Sequence, residues 1–118
     1  MDVSGKSGED RYNLDALRSA SGELGYDVYY FETTESTMGL VNGRVNESGA
    51  DRVVFLTDHQ TGGVGRVNRV WLDKPGSSLM FSVLLRIPQD KVAYFADLCA
   101  LAITEIIKSS LEIDVKIK

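Results

Sequence analysis

One small domain containing both strands and helices is what this sequence predicts, on three observations. Two short apolar runs, Val53-Val54-Phe55-Leu56-Thr57 and Leu79-Met80-Phe81-Ser82-Val83-Leu84-Leu85, have the length and the β-branched and aromatic content of buried strands. Val92, Phe95, Ala96, Cys99, Ala102, Ile103 and Ile106 recur at helical spacing behind Pro88, which marks a long helix with a broad apolar face. The chain of 118 residues can bury one hydrophobic core and is too short for two independent ones.

Residues 1–12 are polar, with Gly5, Gly8 and several serines, and are expected to form a disordered lead-in. Gly5-Lys6-Ser7 copies the end of a phosphate-binding loop, but the earlier glycine and the strand that such a loop needs have no room before it. Leu14, Leu17 and Leu24 predict a short packing helix over residues 13–20, ended by Ser21-Gly22. Val28-Tyr29-Tyr30-Phe31 predicts a strand over residues 27–32. The hydroxyls and carboxylates of Thr33-Thr34-Glu35-Ser36-Thr37 then stand where Met38, Val41 and Val45 begin a helical stripe, so this is a helix N-terminus. Gly39 and Gly43 weaken that helix by about 1 kcal/mol each relative to alanine, and close packing against a neighbour would explain them.

The run at residues 51–58 reads as a strand covered on both faces, and after a Pro75-Gly76 turn the run at 79–85 reads as a second central strand. Asp90 stands in the first turn of the long helix. Tyr94, Leu98 and Leu101 widen its stripe, so it is expected to lie across a sheet with little of it exposed. Ile113-Asp114-Val115-Lys116-Ile117-Lys118 alternates apolar and charged residues, the pattern of a strand.

A net charge of −4 argues against a dedicated DNA-binding surface. Cys99 is the single cysteine, so no intramolecular disulfide is possible, and its apolar setting suggests a small core residue. The start lacks the apolar core of a signal peptide and no apolar stretch has the length of a membrane span, which together favour the cytoplasm. His59 is the single histidine and is read as structural, with no support for a metal site or a Ser-His-Asp arrangement.

Between the two apolar runs lies the segment Asp58-His59-Gln60-Thr61-Gly62-Gly63-Val64-Gly65-Arg66-Val67-Asn68-Arg69-Val70-Trp71. Three glycines within four positions allow positive φ angles and close approach of backbone amides to a guest. Arg66 and Arg69 suit carboxylate or phosphate oxygens, so the segment reads as a mobile loop for an anionic ligand. A flexible surface loop with solvated arginines is the alternative, just as simple capping is the alternative for Ser36 and Thr37.

Taken together, Glu35-Ser36-Thr37, His59-Gln60-Thr61-Gly62-Gly63-Val64-Gly65-Arg66, Arg69-Val70-Trp71 and Pro75-Gly76-Ser77-Ser78-Leu79 closely resemble, in order and spacing, the biotin protein ligase catalytic domain. That family shows Asp-Ser-Thr-Asn after its first strand, then Gln-x-x-Gly-Arg-Gly-Arg-x-x-Arg-x-Trp, then a strand ending in Arg, the place of Arg86 here. Lipoate ligases share the fold but lack the glycine-arginine-tryptophan segment. The resemblance implies an α+β fold, a mixed β-sheet packed against helices, as part of the class II synthetase-like catalytic domain of biotin/lipoate ligases. Residues 13–118 would be its N-terminal half.

The resemblance also implies chemistry. Such enzymes join the biotin carboxylate to the α-phosphate of ATP with Mg2+, release pyrophosphate, and pass biotin to a lysine of a biotin carboxyl carrier domain. By position, Ser36, Thr37 and Gln60 would bond the ureido ring of biotin. Gly63, Val64, Gly65 and Arg66 would wrap the adenylate, Arg69 and Trp71 would support the loop, and Arg66 and Lys118 take catalytic positions. Met38 replaces the family Asn, and Val64 replaces the first loop Arg, removing one cation near the ligand carboxylate.

Val115-Lys116-Ile117-Lys118 resembles the strand that in the family runs into Lys-Trp-Pro-Asn-Asp, with Lys118 as its lysine. Two readings follow. In one, the chain is a fragment or subunit of a biotin ligase, inactive alone and completed by self-association or a complementary half-domain. In the other, it is a stand-alone, non-catalytic binding module for a biotin-like or nucleotide-like ligand.

Overall fold

A computed structural model describes residues 12–117, so the lead-in at residues 1–11 and Lys118 lie outside the described residues. The described residues form two compact units, one over residues 12–85 and one over residues 86–117. In the first, helix α1 (Leu14–Glu23) is followed by strand β1 (Asp27–Thr34), helix α2 (Thr37–Arg44), strand β2 (Val53–Gln60) and strand β3 (Met80–Leu84). In the second, a 3-10 turn (Gln89–Lys91) leads into helix α3 (Val92–Leu111). The fold is α+β.

The sheet is mixed, with order β1-β2-β3: β1 runs parallel to β2, and β3 antiparallel to it. The apolar run at 51–58 accordingly becomes the central strand, with Val53, Phe55, Leu56, Thr57 and Asp58 all buried. The run at 79–85 is not a second central strand. It forms an edge of this sheet, and its burial alternates, Met80, Ser82 and Leu84 inward and Phe81 and Val83 outward, because only one of its faces is covered. Helix α2 packs over β2 and β3, where Val41 and Ala50 join Val53, Phe55 and Leu84 in one cluster with Leu40 against it. Helix α1 packs on β1, and the Tyr12 ring lies 5.6 Å from that of Tyr30.

Helix boundaries follow local chemistry. Asn13 caps α1 by accepting from the Ala16 N–H at 3.0 Å. The helix runs through Ser21-Gly22 rather than stopping there, since Gly22 is exposed and lowers propensity without forbidding the helix. Gly25 stops it instead, at φ 79, where the Tyr26 N–H reaches the Ser21 carbonyl at 2.9 Å and the Gly25 N–H the Gly22 carbonyl at 2.9 Å. Leu24 caps the helix and is exposed rather than part of its stripe. In α2 the inward face is Thr37, Leu40 and Val41, while Met38 and Val45 are exposed.

Close packing does not account for the glycines of α2. A Cβ on Gly43 would meet nothing within 4 Å, and on Gly39 only the Ser36 Cβ at 3.7 Å. Gly43→Ala is therefore expected to raise the unfolding free energy by about 0.5–1 kcal/mol, measurable as a higher urea midpoint at unchanged slope.

The second unit departs further from expectation. Helix α3 extends to Leu111 and ends at Glu112, whose φ of 54 is left-handed and whose N–H reaches the Lys108 carbonyl at 3.0 Å. None of its residues is buried, Cys99 included, so the cysteine is not a core residue. Within this unit only the short 3-10 turn packs substantially against it, too little to cover an apolar face so broad. Residues 113–117 form no strand: an alternating segment becomes one only where a neighbour supplies a ladder, none of the described residues pairs with it, and Ile113 and Ile117 are exposed. No helix among the described residues is long and apolar enough to cross a membrane.

Candidate functional site

Parallel pairing of β1 and β2 brings their C-terminal ends side by side, with Thr34 opposite Gln60. The chain leaving β1 enters α2 two residues later, so the first turn of α2 meets the end of β2. Ser36 is the cap: its Oγ accepts from the Gly39 N–H at 3.3 Å. Thr37 does more. Its backbone N–H donates to Gln60 Oε1 at 2.9 Å and its hydroxyl lies 3.3 Å from the same oxygen. The hydroxyl also lies 2.7 Å from the Ser82 Oγ of β3, and both side chains are buried. Gln60 Nε2 points to the Met80 sulfur at 3.7 Å. Three elements thus converge on one polar corner.

The segment after β2 is a small hairpin rather than an open loop. The Thr61 and Gly62 N–H groups donate to the carbonyls of Thr34 and Glu35 at 2.9 and 2.8 Å. The Trp71 N–H donates to Gly63 O at 2.9 Å, Val64 bridges to Val70, and the Gly65 N–H reaches Arg69 O at 2.6 Å. Amides of Gly62 and Gly65, expected to cradle an anion, are therefore spent within the protein.

The glycines also serve a different purpose from the one expected. None of Gly62, Gly63 and Gly65 has a positive φ; Val67 and Asn68, at φ 58 and 57, take the left-handed turn at the tip. What the glycines supply is closeness. A Cβ on Gly62 would stand 2.6 Å from the Glu35 Cγ. On buried Gly63 it would stand 3.0 Å from the Trp71 Cβ and 3.1 Å from Gln60 Nε2.

Asp73, which the sequence reading passed over, fastens the end of β2. Its Oδ1 lies 2.5 Å from His59 Nδ1 and its Oδ2 accepts from the Gln60 N–H at 3.1 Å, with its side chain 1% exposed. His59 is thus held as a structural partner. Buried Asp58 does the same for the next turn, accepting from the Gly76 N–H at 3.1 Å; Gly76 at φ 80 follows Pro75 as the turn signal predicts.

Of the residues singled out in sequence, Thr37 and Gln60 touch directly, with Ser36 beside them and Gly63 close to both Gln60 and Trp71. Val64, Arg66 and Arg69 lie on the hairpin and are exposed. Arg86 belongs to the second unit and Lys118 lies outside the described residues. Ser82 and Met80 were missed because they sit in an apolar run that reads as pure strand. Their only signal is Ser82 itself, a lone hydroxyl where a wholly apolar inward face was expected.

The mixed sheet thus carries a hydroxyl- and amide-lined corner beside a glycine-arginine hairpin. Residues 30–118 match the Biotin/lipoate A/B protein ligase family, and the chain belongs to it. Among curated proteins it is similar to the Bifunctional ligase/repressor BirA of Bacillus subtilis (strain 168) and to that of Bacillus spizizenii. Each is 29% identical over 97 residues, which cover 80% of this chain and 30% of the relative. The chain thus spans less than a third of the length of these relatives.

Proposed function

We propose that the corner formed by Thr37, Gln60 and Ser82, with Ser36 at its edge, receives the ureido ring of biotin. On this proposal the Gly63–Arg66 stretch with Val64 lies along the adenylate made from biotin and ATP with Mg2+. The observation that carries it is the pair of bonds from Thr37 to Gln60, residues 23 apart in sequence, which builds a fixed hydrogen-bonding surface beside the glycine-arginine hairpin. A neutral cyclic urea offers one acceptor and two donors, and fixed dry partners recognise such a group far better than mobile ones. An acyl phosphate needs a cation, and Arg66, exposed on the hairpin, would supply one on this reading.

Biotin is favoured over lipoate by the glycine-arginine-tryptophan segment itself, whose Trp71 backs onto Gly63. The reaction completed by a ligase of this kind is transfer of biotin to a lysine of a carboxyl carrier domain in the cytoplasm. Lys118 has the sequence position of its catalytic lysine. This chain matches 30% of its relatives, and the remainder of such a ligase supplies the rest of that site, by self-association or from a complementary half. The chain by itself then binds biotin without turning it over. Val64, at 70% exposed and uncharged where the family carries arginine, supports the second reading, a binding module with no catalysis of its own.

Isothermal titration of the chain with biotin and, separately, lipoate tests the proposal. Biotin is expected to bind, and Gln60→Ala to weaken it about 10-fold, the loss of one well-placed hydrogen bond. Equal or tighter binding of lipoate, or an unchanged affinity in the variant, would overturn it.

A further inference from the structure

We propose that Ser82 is a positioning residue of this corner: its hydroxyl holds Thr37 so that Gln60 presents its amide N–H2, and not its oxygen, to the bound ring. The identity of the ring rests on the biotin reading above; the hydrogen-bond arrangement does not.

Donor and acceptor roles follow from chemistry. A backbone N–H can only donate, so the Thr37 amide at 2.9 Å fixes which end of the Gln60 side chain is oxygen. That oxygen cannot donate. The Thr37 hydroxyl, 3.3 Å away, must therefore supply the proton of their bond, which leaves its own oxygen as acceptor toward Ser82. Ser82 at 2.7 Å is then the donor, and the chain runs from Ser82 to Thr37 to Gln60.

Each bond strengthens the next, since a hydroxyl that accepts donates better. With two donors on Oε1, Gln60 turns to a ligand the group that has only a soft partner, Nε2 beside the Met80 sulfur at 3.7 Å. The ring atom bound there is an acceptor. A ring that offers only donors at that point is refused.

Without the Ser82 hydroxyl the Thr37 oxygen is left buried and short of a partner, and the side chain is free to rotate away from Gln60. Ser82→Ala removes one oxygen and little volume, so it keeps the fold, and Ser82→Thr restores the hydroxyl. The test is a 15N-correlated spectrum of the Gln60 side-chain amide in the unliganded chain and its two variants, followed by titration of each with biotin. In Ser82→Ala the Gln60 amide pair is expected to shift and its solvent exchange to quicken, with biotin bound about 5- to 10-fold more weakly. Ser82→Thr is expected to return both toward the parent.

A role confined to packing would change the unfolding midpoint and leave the Gln60 amide where it is, and that result overturns the proposal. So does an unchanged affinity alongside a shifted amide. Failure of the parent chain to bind biotin overturns the biotin reading instead, and the Gln60 signals of the unliganded variants then decide the positioning role alone.

Discussion

Gly63→Ala is expected to weaken biotin binding by about 10- to 100-fold and to shift the Trp71 fluorescence. The added Cβ would come within 3.0 Å of the Trp71 Cβ, 3.1 Å of its Cδ1 and 3.1 Å of Gln60 Nε2. Real Cβ atoms rarely tolerate such approaches, so a neighbour must give way, and neither neighbour is free. Trp71 is held by its backbone N–H donating to Gly63 O at 2.9 Å, and Gln60 by its side-chain oxygen accepting from the Thr37 amide at 2.9 Å and its backbone N–H donating to Asp73 Oδ2 at 3.1 Å.

Overpacking of this kind costs about 1–3 kcal/mol, and on the proposed reading a displacement of Gln60 acts directly on the ligand. Trp71 is the single tryptophan, so its emission reports the change without a label. An unaltered emission maximum together with an affinity within twofold of the parent would mean that the contact relaxes freely and that Gly63 has no special place.

Phe55→Ala is expected to lower the unfolding free energy by about 3–5 kcal/mol, enough to bring a domain of this size close to its threshold. Phe55 lies on the central strand with its neighbours Val53 and Leu84 in one cluster beneath α2, and its ring stacks on that of Tyr29 at 5.6 Å. At 4% exposed it is almost wholly buried, so its truncation leaves an apolar cavity in the core. Urea denaturation followed by far-ultraviolet circular dichroism reads the loss. A change below about 1 kcal/mol would show that the sheet and α2 do not form the cooperative core described.

Much of this architecture was legible because the signals are local. The five-residue apolar stretch from Val53 to Thr57 needs burial on both faces, and β2 is indeed the middle strand. Ser36 stands where an extended chain turns into a helix, and its capping bond is the simplest consequence. Pro75-Gly76 gives its turn with the expected positive φ. What stayed hidden depends on residues distant in sequence.

The glycines of the hairpin illustrate the difference. Composition shows that they permit unusual backbone angles, but only the fold shows that Glu35, Trp71 and Gln60 crowd them, so that missing side chains, not positive φ, are what the site uses. Asp73 reads as one more loop carboxylate until β2 is seen to end against it. Ser82 is camouflaged by Met80, Phe81 and Val83. The alternation in residues 113–118 predicts a strand correctly only when a neighbouring strand accepts it, and none of the described residues does. The stripe of α3 likewise identifies a helix without saying what covers it.

The central claim is that the Thr37-Gln60 corner and the adjoining hairpin form the biotin site. Titration of 15N-labelled chain with biotin, followed through backbone amide shifts, tests it most directly. The account predicts that the shifts concentrate at Ser36, Thr37, Gln60 and the Gly63–Arg66 stretch, with Ser82 among them and with α1 and α3 nearly silent. Saturable shifts centred elsewhere, on the α3 unit or the outer edge of β1, would contradict it, as would no shift at any concentration.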